Sequence, residues 1–77
     1  MSRTIVDAGL KSWEVFASTG PYGYGPHSRV VFRCTTDPGE RPRARALEGD
    51  KSDAEALVAA APLERLRELL ESAEPLD

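Results

Sequence analysis

The sequence predicts an α+β domain: a three-stranded antiparallel sheet followed by two short helices packed on one face, in the order β-β-β-α-α. Three β-rich runs, at 13–18, 29–35 and 43–47, predict the strands. Apolar residues then recur at helical spacing between 52 and 73. A chain in which strands precede helices is typical of an antiparallel sheet with the helices gathered on one face.

A chain of 77 residues has room for one domain. We expect that domain to span 13–73, after an N-terminal arm or short strand at 1–12 and before a frayed tail at 74–77. A domain of this size buries only about 60% of the surface of its unfolded chain. Its stability therefore depends on close packing or on self-association, and the sequence leaves a homodimer open.

Alternation along the first predicted strand divides its side chains between two faces. Trp13 and Val15 fit the core, which leaves Glu14 and Phe16 on the opposite, open face. Ahead of this strand, the β-branched run at 4–6 is compatible with one further short strand.

A turn at 37–40 joins the second and third predicted strands. Pro38 pre-sets φ at the second position of this turn, and Gly39 accepts a positive φ at the third. These two residues therefore predict a turn here, whereas the number of residues in the loop depends on the register of the two strands.

The register of the second and third strands decides which face the arginines occupy. A two-residue loop would place Arg45 opposite Phe32, in the core, and a one-residue slip moves every side chain to the other face. We therefore predict a loop of three or five residues, or a bulge, that turns Ala44 and Ala46 toward the core.

In that register the open face of the sheet carries four arginines. Like charges opposite each other destabilise a sheet, so water, an acidic segment of this chain, a second copy or an external anionic partner has to compensate. The four are Arg29, Arg33, Arg43 and Arg45.

The second half of the chain predicts two helices that are separated at Pro62. Ser52 and Glu55 form a capping box at the start of the first helix. Pro62 disfavours helix in the residue before it and suits the first position of a new helix. Apolar stripes follow the helical period on both sides of the break: Ala54, Leu57, Val58 and Ala61, then Leu63, Leu66, Leu70 and Ala73.

Charge is divided unevenly along the chain. Residues 1–47 carry seven Lys/Arg and four Asp/Glu, a net charge of +3, whereas 48–77 carry three Lys/Arg and nine Asp/Glu, a net of −6. This division bears on partners and association rather than on fold.

Catalytic chemistry has no clear basis in these residues, and we expect no enzyme, metal or cofactor. A single cysteine, Cys34, excludes an intramolecular disulfide, and a structural zinc site needs several Cys or His ligands. A pairing of Cys34 with His27 as nucleophile and base lacks a third, orienting group.

The sequence also lacks features of membrane insertion or export. No apolar run approaches the roughly 20 residues that span a bilayer, and the first residues lack the apolar stretch of a signal peptide. We therefore expect a cytoplasmic protein without a membrane partner.

Part of the chain, from 13 to 66, resembles a double-stranded-RNA-binding domain. The similar features are Trp13 opening a strand, the Gly-Pro-His run that ends at His27, and Lys51 opening an Ala-rich helix. The resemblance implies a loop that enters a minor groove and a helix that contacts phosphates. It is partial, because no first helix fits before Trp13, Ser52 and Asp53 replace the phosphate-binding Lys pair, and Pro62 interrupts the helix.

Taken together, these patterns predict a small non-catalytic binding module. It would engage a protein partner or a second copy of itself through the arginine-bearing face and the Gly/Pro-rich loop at 20–26. The tyrosines of this loop, Tyr22 and Tyr24, offer large contact area at low entropic cost. Nucleic-acid binding through the same arginine and aromatic surface is the alternative, although the acidic net charge opposes it. The predicted partner-binding residues are Phe16, Tyr22, Tyr24, His27, Arg29, Arg33, Arg43 and Arg45.

Overall fold

The computed structural model describes residues 2–18, 28–47, 49 and 51–75. Five strands and two helices lie within them. In chain order they are β1 (Ser2–Val6), β2 (Ser12–Ser18), β3 (Arg29–Cys34), β4 (Arg43–Ala46), α1 (Lys51–Ala60), α2 (Leu63–Ser72) and β5 (Glu74–Pro75).

The strands form one antiparallel sheet in the order β1-β2-β3-β4-β5. The α+β class and the two helices are confirmed, but the sheet has five strands where three were predicted. The segment predicted as an arm or short strand supplies β1, and Glu74–Pro75, assigned from sequence to a frayed tail, pairs with β4.

The core lies between the two helices and one face of the sheet. Ile5 anchors β1 there with 1% of its surface exposed, which explains why a short strand forms at this position. The buried sheet residues of the core are Ile5, Trp13, Val15, Val30 and Phe32, and the helices and their junction contribute Val58, Ala61, Leu66, Leu69 and Leu70.

The helix boundaries follow the predicted break at Pro62 but not the predicted cap. Pro62 is the N-cap of α2, with extended dihedral angles of φ −66° and ψ 156°, and α1 ends two residues earlier at Ala60. However, α1 begins at Lys51, so Ser52 lies inside the helix and the prediction that it is the N-cap was wrong.

The predicted register of β3 and β4 was also wrong. Phe32 lies opposite Arg43 and Val30 lies opposite Arg45, so both arginines project from the helix-covered face. Ala44, predicted for the core, projects from the open face. The long aliphatic stems of the two arginines can lie beside the core while their charged groups reach polar partners.

The turn at 37–40 is present, with a different backbone from the predicted one. The backbone N–H of Glu40 donates to the carbonyl oxygen of Asp37 at 3.1 Å, and that of Gly39 donates to the Asp37 carboxylate at 3.0 Å. Gly39 does not take a positive φ. In the register that pairs Phe32 with Arg43, an even number of residues, 33–42, connects the paired parts of the two strands. The odd-numbered loop or bulge that would turn Ala44 toward the core is therefore not formed.

Candidate functional site

Those predicted partner-binding residues that the structure describes do not share one face of the sheet. Tyr22, Tyr24 and His27 lie outside the described residues, so their predicted role stays a prediction. Phe16 projects from the open face, as predicted, and is half-buried.

The four arginines divide between the two faces of the sheet. Arg33 lies on the open face and pairs with Glu14 across the strands, with Nη2 to Oε1 at 2.9 Å. The side chain of Arg29 lies half-buried on the same face and makes no hydrogen bond or ion pair with any described residue. Arg43 and Arg45 lie on the other face, so the predicted four-arginine face was wrong.

Both arginines of β4 have partners within the chain. Arg45 Nη1 donates to the hydroxyl of Ser72 at 2.6 Å, and that hydroxyl donates to the carbonyl of Leu69 at 3.1 Å. Arg45 therefore ties β4 to the last turn of α2. Arg43 stacks its guanidinium 5.2 Å from the ring centroid of Trp13, a cation–π distance.

Arg43 belongs to a closed cluster at one end of the sheet, here called the hairpin clamp: Asp7, Lys11, Trp13, Glu40 and Arg43. Lys11 Nζ lies 3.0 Å from one carboxylate oxygen of Glu40, and Arg43 Nη2 lies 3.2 Å from the other. Trp13 Nε1 donates to Asp7 at 2.9 Å. The hairpin clamp thus joins the β1–β2 turn to the β3–β4 turn.

Charges in the hairpin clamp stabilise one another. The hydrogen bond from the Trp13 indole, followed by that from the Lys11 backbone, lowers the pKa of Asp7 below its ordinary value. Hydrogen bonding to Glu40 raises the pKa of Lys11, and Lys11 in turn lowers the pKa of Glu40. Each charged group is satisfied by another member, so the cluster is a structural clamp rather than a set of groups poised for proton transfer.

The outer side of β1 is different, because its backbone groups face away from the sheet. The N–H of Asp7 donates to the carbonyl of Lys11 at 2.9 Å, which fixes the alternation of hydrogen-bonded pairs along β1 and β2. By that alternation Arg3 and Ile5 bond to β2. The N–H and C=O groups of Ser2, Thr4 and Val6 point outward, and we call this row the β1 edge.

Among the described residues, one hydrogen bond reaches the outward groups of the β1 edge. Arg67 of α2 donates from Nε to the carbonyl oxygen of Val6 at 2.8 Å, which agrees with the outward direction of that carbonyl. The backbone groups of Ser2 and Thr4 receive no hydrogen bond from other described residues on this side.

Natural sheets protect such edges with charged side chains, proline, bulges or very short strands. The opposite edge has two of these, since β5 contains two residues and one is Pro75. The β1 edge has no proline, and the protection of this kind that it carries is a single charged residue. Its one charged residue, Arg3, folds inward and donates to the carbonyl oxygens of Val58 and Ala61 at the end of α1.

Exposed apolar side chains flank the β1 edge. Three large ones are exposed among the described residues: Val6 at 38%, Leu10 at 81% and Leu63 at 46%. Val6 belongs to β1, Leu10 lies in the turn that follows it, and Leu63 lies two residues after Ala61, to which Arg3 of β1 donates. Val6 and Leu10 therefore place exposed apolar surface beside the outward groups of the β1 edge.

Leu10 has an unusual backbone conformation. Its φ of 65° lies in the left-handed region, which is an outlier for a bulky residue. Leu10 also lines a hollow of 280 Å³ between the β1–β2 turn and α2, together with Asp7, Ala8, Arg67, Leu70 and Glu71.

Sequence reasoning missed the β1 edge. The β-branched residues at 4–6 indicated that a strand was compatible with this segment, yet the strand order, which makes it an edge, is a property of the folded sheet. Register likewise determines which of its backbone groups face outward.

Comparison with known proteins identifies no relative. No family model matches the chain, and neither a curated protein nor a solved structure is detectably similar to it. The partial resemblance to a double-stranded-RNA-binding domain gains no support from these comparisons, and the strand β1 stands where that family has its first helix.

Two further observations concern ligands and membranes. The described residues contain no group of three or more His, Cys, Asp or Glu side chains arranged to hold a metal ion. Neither of the two helices is long and apolar enough to span a membrane.

Proposed function

We propose that this chain is a small non-catalytic binding module that engages protein through the β1 edge. The observation that carries the proposal is the row of outward N–H and C=O groups at Ser2 and Thr4, which has no described partner. The cytoplasmic location expected from the sequence stays part of this proposal.

Strand addition is the binding mode that fits such an edge. An extended partner segment would form main-chain hydrogen bonds to the β1 edge, and these supply affinity without demanding a particular sequence. Specificity would come from the side chains beside the edge. Val6 and Leu10 offer apolar contacts there, so a partner strand with apolar residues is favoured.

This interface replaces the arginine-bearing face that the sequence predicted. Arg33, Arg43 and Arg45 have partners within the chain, so the argument from unpaired arginines no longer applies to them. A binding role for the Tyr-containing loop remains a prediction.

A selection of displayed random peptides against the purified chain tests the proposal. The discriminating variant is Thr4→Pro, because proline removes an outward N–H that takes no part in the β1–β2 ladder. Thr4→Ala is the matched control, since it shortens the same side chain and keeps the N–H. We expect the selected peptides to bind the wild type and Thr4→Ala alike and to bind Thr4→Pro weakly.

The fold of each variant is checked by near-ultraviolet circular dichroism of the buried Trp13. Peptides that bind Thr4→Pro as strongly as the wild type would place the interface away from the β1 edge. A selection that enriches no peptide would count against a general strand-binding function.

Nucleic-acid binding, the alternative from sequence, retains one supporting observation. Arg29 is half-buried near Phe16 on the open face and has no described partner. Fluorescence anisotropy with labelled single- and double-stranded RNA and DNA at low and moderate salt tests this alternative. Binding that weakens steeply with salt and is lost in Arg29→Ala would support it, whereas the protein-binding proposal predicts no such binding.

A further inference from the structure

We infer that the partner of the β1 edge is the β1 edge of a second copy of this chain. The two strands pair antiparallel about a two-fold axis at Thr4, which joins the two sheets into one of ten strands. This inference rests on the proposed function and names the partner that it leaves open.

The directions of the backbone groups make this pairing complete. Thr4 of each copy donates its outward N–H to the carbonyl of the other Thr4, and accepts in return. Ser2 of one copy then lies opposite Val6 of the other at both ends of the strand pair. Every outward group of the strand obtains a partner, because the two-fold axis places an identical strand antiparallel to it.

The side chains are compatible with the same register. Thr4 faces Thr4, a favourable cross-strand pair, and Ser2 faces Val6. On the helix-covered face Arg3 lies opposite Ile5, so no like charges are opposed. A shift of two residues that centred the pair on Arg3 would place two arginines opposite each other, which is unfavourable.

Two arginines limit how far the pairing extends. Arg3 does not block the β1 edge, because its guanidinium is held by the carbonyl oxygens of Val58 and Ala61. Arg67 already donates to the carbonyl of Val6 at 2.8 Å. That oxygen has a second lone pair for an N–H of the other copy, so the outer pairs share an acceptor with Arg67 while the central pair at Thr4 does not.

A second copy is also favoured by the size of the domain and by its two different edges. A small chain gains more from added burial than a large one does. The edge at β5 is short and contains Pro75, so it does not extend the sheet further. Pairing at β1 alone closes after two copies and gives a dimer rather than a filament.

Sedimentation velocity across a thousandfold concentration range tests the inference with the full chain. The wild type and Thr4→Ala are both expected to convert from monomer to dimer over this range, Thr4→Ala at a slightly higher concentration because it loses the Thr4–Thr4 side-chain pair. Thr4→Pro is expected to need a concentration about tenfold higher or more, because the two central hydrogen bonds are lost. If Thr4→Pro does not fold, Thr4→Lys serves instead, since it keeps the N–H and places two like charges opposite each other in the dimer.

Amide hydrogen exchange on the same samples reports the edge directly. The amides of Ser2, Thr4 and Val6 are expected to exchange more slowly as concentration rises, whereas those of Arg3 and Ile5, already bonded to β2, change little. A chain that is monomeric at every concentration, or a dimer that Thr4→Pro and Thr4→Lys leave unchanged, overturns the inference. A chain that stays monomeric but still binds selected peptides at Thr4 would overturn only the inference that the partner is a second copy, and the proposed function would stand.

Discussion

At Leu10 the backbone and the side chain conflict with ordinary preferences. The residue combines a φ of 65° with 81% exposure of its surface, so a large apolar side chain sits where glycine is favoured and water is accessible. Outliers of this kind concentrate at functional sites. Its place beside the β1 edge is consistent with a residue kept for contact with a partner.

Leu10→Gly is therefore expected to stabilise the isolated chain. Glycine relieves the left-handed conformation, worth about 1 kcal/mol, and the exposed leucine loses little packing. Urea unfolding followed by the fluorescence of Trp13 measures the change. Leu10→Ala is the control, since it keeps a Cβ at the same φ. An equal gain in Leu10→Ala would show that the effect comes from removing apolar surface rather than from the backbone.

Arg3 is expected to contribute to stability through the end of α1. Its guanidinium donates to two carbonyls at the helix C-terminus, where a positive charge is favoured. Arg3→Met keeps much of the stem, loses these bonds and should lower the free energy of unfolding by about 2 kcal/mol.

Arg33→Met is the matched control for Arg3→Met. It makes the same substitution on the open face, where Arg33 pairs with Glu14 and its side chain is 62% exposed. A loss of only about 0–1 kcal/mol is expected there. Equal losses in the two variants, measured by urea unfolding, would contradict the helix-capping role of Arg3.

At the scale of the elements, the hairpin clamp links the two turns that lie at the same end of the sheet. Three of its groups have pKa values displaced in the direction that favours the charged form, because each faces a donor or an opposite charge. Stability of this origin depends on pH.

The sign of that dependence follows from Glu40, whose pKa is lower in the folded chain than in the unfolded one. Its contribution is present above the ordinary carboxyl pKa of about 4.3 and is lost as pH falls through the folded value. We expect the urea midpoint to fall on acidification, and to fall less steeply in Glu40→Gln, which starts from a lower midpoint at neutral pH.

Glu68→Gln is the control for the acid response. Glu68 pairs with Arg65 on an exposed helix surface, where its side chain is 67% exposed, and such pairs contribute little. It should retain the pH profile of the wild type. A profile in Glu40→Gln that is indistinguishable from the wild type would show that the clamp does not contribute to acid sensitivity.

Elements with a strong local signal were predictable from the sequence. The break at Pro62 and the core faces of β2 and β3 follow from proline chemistry and from alternation, and both occur in the structure. The sequence indicates the β1 strand only weakly, because its β-branched residues cover only 4–6. Pro75 gives no strand signal, since proline donates no hydrogen bond. β5 can nevertheless form, because it is the edge strand of the sheet, where proline is tolerated.

The arginine face could not be predicted, because alternation along β4 does not determine which of its two sets of side chains faces the core. In the run from Arg43 to Ala46, large charged and small apolar residues take turns, so both registers satisfy alternation. The structure takes the one in which Arg43 stacks on Trp13 and pairs with Glu40. Those partners come from other strands and are invisible in the run itself.

For the whole molecule, the charge division of the sequence does not become a basic face. The described residues of the first half, 2–18 and 28–47, hold its seven Lys/Arg, yet several of these side chains are bound to partners within the chain. Arg3 binds helix carbonyls, Arg43 and Lys11 belong to the clamp, and Arg45 binds Ser72. What distinguishes the surface is instead the row of outward backbone groups at Ser2 and Thr4, which carry no charge, so association there should depend weakly on salt.

Stability and association are linked if the β1 edge pairs two copies. A dimer that unfolds to two chains gains about 1.4 kcal/mol per mole of dimer for each tenfold rise in concentration. The urea midpoint of the wild type should therefore increase with protein concentration, whereas that of Thr4→Pro should stay constant over the range in which it is monomeric. Thr4→Ala, which keeps the outward N–H, should follow the wild type.

A wild-type midpoint that is independent of concentration above the level at which sedimentation detects dimer would mean that the two copies meet through a contact too weak to stabilise the fold. A midpoint that rises equally in Thr4→Pro would assign the stabilising contact to another surface. We expect the urea midpoint to rise with concentration in the wild type and in Thr4→Ala but not in Thr4→Pro. That pattern would show that the outward N–H of residue 4 is needed both for dimer formation and for the stability that the dimer adds.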